Sequence, residues 1–210
     1  MKPLPSNGVI LGIDPGLATT GWGVIEKYSG TLKLLAFGAI ETPAKQILPQ
    51  RLLFIRQEVS RLIETYRPGV MAIEELFFAK FAVSIAATAQ ARGVILVAAA
   101  EQAVPISEYN PRAVKIAMTG FGSAAKMQMQ LMVQRQFRLK ELPRPDDAAD
   151  ALAIALCHAQ TNAILVGAGL VPARKDITRN SNDINLSDRN SMNSQAGTRP
   201  APTRWMSVTK

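Results

Sequence analysis

Four acidic residues in three separated places could do chemistry together: Asp14 in Gly-Ile-Asp-Pro-Gly, Glu74 after an apolar run, and Asp147 with Asp150 in Asp-Asp-Ala-Ala-Asp. Asp14 follows Val9 to Ile13 and Glu74 follows Val70 to Ile73, so both are predicted on buried strands, where an uncompensated charge is strongly disfavoured. Asp147 and Asp150 are three apart on one helix face, where two uncompensated acids repel. A cation shared among them removes both penalties. A set of carboxylates with few other ligands suits hard, oxygen-seeking ions such as Mg²⁺ or Mn²⁺ and not Zn²⁺. Two such ions about 4 Å apart can activate a water and stabilise the leaving oxygen of a phosphodiester. Metal-assisted phosphodiester hydrolysis is therefore the chemistry this set could perform.

Each acid also has a plainer reading. Asp-Pro-Gly is a turn signal in its own right. A Glu at a strand end can cap the next turn, although that end of an open α/β sheet is also where ligands bind. Acids in a first helical turn complement the helix dipole, and Asp146 could be an N-cap. Gly12, Gly16, Gly21 and Gly23 keep side chains away from Asp14, as close approach of a large ligand requires, or simply make tight turns. Lys126, early in a helix after Gly120-Phe121-Gly122-Ser123, could reach a phosphate. Phe77 or Phe78, just past Glu74, could stack on a base. A solvated lysine and a core phenylalanine are the ordinary alternatives, and Lys115 carries no more than that by itself. Glu75 is predicted on the face opposite Glu74. His158 lies about 12 Å along the helix from Asp150 and is expected to be structural.

The elements that must position these residues follow from apolar spacing. Val9–Ile13, Gly21–Ile25 and Leu32–Ile40 predict a three-strand meander, with a polar turn at Thr19 and Thr20. Leu52, Ile55, Val59, Leu62, Ile63 and Tyr66 recur at helical spacing between Pro49 and Pro68. Val70–Ile73 is a fourth strand, an Ala-rich helix spans about Ala82 to Ala100, and Val104–Tyr109 is a fifth strand despite Pro105. Helices are predicted over Pro111–Met118, over Ser123–Leu139 with Ser123 as its cap, and from Asp146 to about Gln160. This is an α/β chain with a five-stranded mixed sheet and helices on both faces.

The 24 Lys and Arg against 16 Asp and Glu give a net charge of +8, which suits a polyanionic partner. Residues 1–162 are expected to form the folded domain. Residues 163–210 carry seven basic and three acidic residues, and from 172 onward are rich in Asn and Ser with Trp205 as the only aromatic. Such a tail cannot bury enough apolar surface to offset its ordering entropy, and it is expected to be disordered. A single cysteine, Cys157, allows no disulfide within the chain and fits a reducing compartment. No signal-peptide pattern is visible at Met1–Gly8, and the longest apolar runs are too short to cross a bilayer. A cytoplasmic location without membrane attachment is the expectation.

These residues resemble the RuvC family of bacterial Holliday junction resolvases. The likeness runs from Val9 to about Gln160 and rests on strings in order: Gly12-Ile-Asp-Pro-Gly16 with Thr20-Gly-Trp-Gly-Val-Ile25, Ala72-Ile-Glu-Glu75 leading to Ala79-Lys80, and Gln90-Ala-Arg-Gly93. Glu108-Tyr109, Val114-Lys115, Gly122-Ser123-Ala124 with Lys126, and Asp147-Ala-Ala-Asp-Ala-Leu-Ala-Ile-Ala155 complete it. The resemblance implies a ribonuclease-H-like fold, a homodimer, two Mg²⁺ per site with Mn²⁺ as a substitute, and paired nicks across a four-way DNA junction. It implies Asp14, Glu74, Asp147 and Asp150 as catalytic metal ligands, with Asp147 chosen over Asp146 by the Asp-Ala-Ala-Asp register. It further implies Phe77 as a junction-stacking aromatic, Lys115 and Lys126 as DNA contacts, the Ala-rich helix as dimer contact, and a branch-migration motor of the RuvA and RuvB type as partner. Phe81 replaces a commonly polar position. The competing readings are a junction-binding scaffold that no longer cuts, and an actin-like or sugar-kinase-like ATPase, for which a body of about 160 residues lacks the second domain.

Overall fold

Alternation of apolar residues builds the sheet. The computed structural model describes residues 8–76, 82–168 and 206–207. β1 (Gly8–Asp14), β2 (Thr19–Tyr28) and β3 (Thr31–Glu41) form the antiparallel meander, with Ile13 opposite Trp22 and Ile25 opposite Leu34. β4 (Val70–Glu74) runs parallel to β1, and β5 (Ile106–Tyr109) parallel to β4. The five strands lie in the order β5-β4-β1-β2-β3, and β6 (Met206–Ser207) adds two residues antiparallel to the outer edge of β3.

The two faces of the sheet bury separate sets of residues, as period-two alternation requires. Leu11, Ile13, Val24, Met71 and Ile73 face α1 (Leu48–Tyr66) and α2 (Ala82–Glu101). Ile10, Ile25, Val70 and Ala72 face α5 (Asp146–Ala168). α3 (Pro111–Thr119) and α4 (Lys126–Phe137) pack on α5 in turn through Val114, Met118, Met129 and Val133. α5 is thus enclosed on nearly every side, and Ala148 to Ala159 are almost continuously buried apart from Asp150. Full burial of a residue such as Leu152 contributes about 2 kcal/mol.

Several expectations are corrected. Thr19 and Thr20 open β2 and are not a turn; buried Thr20 donates from Oγ1 to the Gly16 carbonyl at 2.7 Å, closing the Asp-Pro-Gly loop. β5 starts only after Pro105. α4 begins at Lys126 and not at Ser123, because Ala124 is pulled into the core and the Gln128 side chain accepts from the Ala125 N–H at 2.9 Å. α5 continues past Gln160 to Ala168. Met206–Ser207 pairs as a strand within a tail expected to be unstructured; the remainder of that tail lies outside the described residues.

Candidate active site

The register of β1 and β4 decides where the acids point. Ile10 faces α5, so Gly12 and Asp14, two and four residues on, face it too; Val70, Ala72 and Glu74 do the same on the neighbouring strand. What lets α5 come close is the glycine strip beneath it. A Cβ on Gly12 would lie 2.1 Å from the Ala151 carbonyl oxygen, one on Gly21 2.0 Å from the Asp147 carbonyl oxygen, and one on Gly23 2.5 Å from Leu152 Cδ2. The first turns of α5 therefore rest on bare strand backbone, which delivers Asp147 and Asp150 to Asp14. These glycines make room for a helix and not, as their pattern suggested, for a ligand. Gly16 serves the loop itself, since its Cβ would lie 2.2 Å from the Thr19 carbonyl oxygen.

The acids lie within electrostatic reach of one another. Burial pushes the Asp14 carboxyl from its ordinary 3.8 up to about 8, with further upward pressure from Glu74, Asp150 and Asp147 and a smaller opposing pull from Lys126. Burial also raises Glu74, helped by Asp150 and opposed by Lys115. Asp150 is raised by burial, opposed by Lys126, with Asp147 and Asp146 adding to the rise. Asp147 acts on Asp14, whereas Asp146 is exposed and paired with Lys126. Asp146 is the first residue of α5 and not its N-cap. It receives a hydrogen bond from Lys126, which holds its carboxyl below the usual carboxylate range.

Lys126 is drawn to the acids. Its Nζ lies 2.9 Å from Asp146 Oδ2 and 3.4 Å from Asp150 Oδ2. It also borders a cleft of about 250 Å³ with Glu74, Lys115, Met129 and Asp150. A second cleft of about 150 Å³ is lined by Asp14, Pro15, Glu74, Ile85, Thr88 and Arg92, and Glu74 belongs to both. Phe77, Phe78 and Phe81 lie outside the described residues. Among the described residues no three Asp, Glu, His or Cys side chains form a ready-made metal cage. The donor set nevertheless fits a hard divalent cation, because half-buried carboxylates gathered on one side of the sheet leave a negative charge that such an ion neutralises.

The structure separates these residues from their neighbours. Glu75 is exposed and tied to β5 by its N–H to the Tyr109 carbonyl at 2.8 Å. His158 is buried, its Nδ1 at 2.7 Å from the Tyr109 hydroxyl, as a structural role requires. Cys157 is buried beside Thr161, and burial pushes its thiol up. Arg92, which the sequence places in Gln90-Ala-Arg-Gly93 without indicating a role, pairs with the Glu108 carboxylate and donates from Nε to the Glu74 carbonyl at 3.3 Å. The available signals were a lone cation in an Ala-rich helix and a Glu within a short apolar strand.

Comparison with known proteins gives the family and the fold. The family model described as "Crossover junction endodeoxyribonuclease RuvC" matches residues 10–158. A protein of that name from Endomicrobium trichonymphae is 53% identical over 154 residues, covering 73% of this chain and 81% of that protein. One from Chloroflexus aurantiacus is 51% identical over 160 residues, covering 76% and 98%. Among solved structures, Thermus thermophilus RuvC in complex with a Holliday junction substrate is similar with a TM-score of 0.70 and 38% identity, covering 76% of this chain and 96% of that one. The yeast mitochondrial Holliday junction resolvase Ydc2, 13% identical with a TM-score of 0.57 over 75% of this chain and 82% of that one, shares the fold. No helix among the described residues is long and apolar enough to cross a membrane.

Proposed function

This chain belongs to the RuvC family of crossover junction endodeoxyribonucleases, and from that premise we propose that it resolves Holliday junctions in DNA recombination and repair by hydrolysing phosphodiesters at the site of Asp14, Glu74, Asp147 and Asp150. Its five main strands and flanking helices are the ribonuclease-H-like fold. The observation that carries the proposal is the convergence of strand-borne Asp14 and Glu74 with helix-borne Asp147 and Asp150, which leaves Asp14 with a pKa of about 8.

These four side chains would hold the metal, Mg²⁺ with Mn²⁺ as a substitute and two ions per site. Bound there, the metal supplies an activated water and neutralises charge at the leaving oxygen. The chain's own groups do the rest. The strand ends and α5 hold the acids in place at the cleft, half-buried, so that little reorganisation is needed at the moment of reaction. Lys115 and Lys126 flank the larger cleft and are suited to contact phosphates, Lys126 exchanging its acidic partners for DNA. Phe77, three residues past Glu74, is assigned to stacking at the junction. Two copies in a C2 homodimer, with the Ala-rich α2 at the contact, would place two sites across a pseudo-symmetric junction and so give paired, symmetric nicks.

We assign the nuclease to residues 1–162, leave 163–210 as a basic appendage, and place the protein in the cytoplasm with a branch-migration motor of the RuvA and RuvB type as partner. The test is nicking of a synthetic four-way junction with Mg²⁺ by wild type and Asp14→Asn. Paired nicks by wild type alone are expected. Equal activity of the two proteins would reject the site, and junction binding without product under Mg²⁺ or Mn²⁺ would leave a scaffold in place of an enzyme.

A further inference from the structure

We propose that Arg92 is a positioning residue for Glu74, holding from the opposite face of the sheet the peptide that carries this carboxylate. The inference rests on the reading of Glu74 as part of the nuclease site. Glu74 is the last residue of β4, where the sheet gives out: pairing with β1 ends one residue earlier, at Ile13 and Ile73, and pairing with β5 ends at Glu74 and Tyr109. The Glu74–Glu75 peptide is held on the β5 side by its N–H, which donates to the Tyr109 carbonyl at 2.8 Å, and its carbonyl needs a partner of its own. Arg92, on α2, supplies it through Nε, which donates to the Glu74 carbonyl oxygen at 3.3 Å.

Arg92 is itself fixed. Its Nη2 pairs with Glu108 Oε1 on β5, and the side chains are only 13% and 15% exposed. Glu108 faces α2, whereas the next residue, Tyr109, faces α5 and meets His158 with its hydroxyl. The ends of β4 and β5 are thus gripped from both faces. Only Arg combines a planar fork for the carboxylate with a separate Nε–H for the carbonyl; Lys offers a point charge on a flexible stem. A buried ion pair is a poor source of net stability compared with apolar packing, so its siting on the peptide of a catalytic carboxylate is better explained by geometry. Misplacing a reacting group by about 1 Å can cost about 100-fold in rate.

The test uses Arg92→Lys, which keeps a cation opposite Glu108, and the double variant Arg92→Met/Glu108→Gln, which removes both charges and leaves neither unpaired. Single-turnover cleavage of a four-way junction with Mg²⁺ is compared with junction affinity in EDTA and with melting temperature with and without Mg²⁺. In both variants we expect a rate about 10- to 100-fold lower, junction affinity within about twofold of wild type, and a smaller Mg²⁺-induced rise in melting temperature. A variant that melts like wild type and cleaves within about twofold of it overturns the proposal. So does a loss of rate matched by an equal loss of junction affinity, which marks a merely structural role. Failure of the wild-type protein itself to nick the junction rejects the nuclease reading instead.

Discussion

Asp14→Asn should make the metal-free protein more stable while abolishing cleavage. The folded-state carboxyl is raised from 3.8 to about 8 by burial and by Glu74, Asp150 and Asp147. With the folded pKa above the unfolded one, the folded state binds the proton more tightly. The stability this confers is complete below pH 3.8 and is lost progressively as pH rises through about 8. Each pH unit between the two values is worth about 1.4 kcal/mol, so at pH 7.5 the unfolded state has gained about 5 kcal/mol as an upper figure. Water entry and relaxation of the cluster reduce it, and a net gain of about 2 kcal/mol is expected when Asn removes the titrating group. At about 2–4 °C per kcal/mol for a chain of this size, that is a rise of about 4–8 °C in melting temperature.

The assay is calorimetric melting of both proteins in EDTA at pH 5 and pH 8, repeated with Mg²⁺. The variant should melt higher at pH 8, the gap should narrow at pH 5, and Mg²⁺ should narrow it at pH 8 by stabilising wild type alone. A variant that melts at or below wild type at pH 8, or a gap that ignores pH, refutes the account of Asp14 as a carboxylate strained by burial and like charge.

The other predictions concern the remaining parts of the site. Glu74→Gln and Asp150→Asn should each lower junction cleavage by at least about 100-fold while leaving junction binding in EDTA intact, as gel shift and single-turnover kinetics will measure. Lys115→Ala and Lys126→Ala should each weaken junction binding and reduce the slope of log affinity against log salt by about 1; an unchanged slope removes that lysine from the phosphate contacts. Gly21→Ala drives a Cβ to 2.0 Å from the Asp147 carbonyl oxygen. It should cost about 3 kcal/mol and lower the melting temperature by about 6–12 °C, whereas wild-type stability in that variant would show that α5 does not sit on bare backbone.

The parts of this molecule that were legible in its sequence are those whose cause is local. Alternation within Val9–Asp14 and Val70–Glu74 places an acid at the end of each strand, and the three-residue spacing of Asp147 and Asp150 puts them on one helix face. The cap of α4 was misread because Ser123 is a good capping residue by type, yet burial of Ala124 and the back-reach of Gln128 start the helix at Lys126. The larger misreadings involve partners distant along the chain. Gly12 and Gly21 look like openings for a ligand until α5, more than 120 residues later, is found resting on them. Lys126 looks like a free cation until Asp146 and Asp150 meet it, and Arg92 looks incidental until β5 brings Glu108 and β4 brings the Glu74 carbonyl to its guanidinium. A residue type at a costly position reveals locally that compensation is required. Which group supplies it is settled by topology, and for Glu74 the topology offers two supports: charge compensation on the α5 face, and a guanidinium on the peptide from the α2 face.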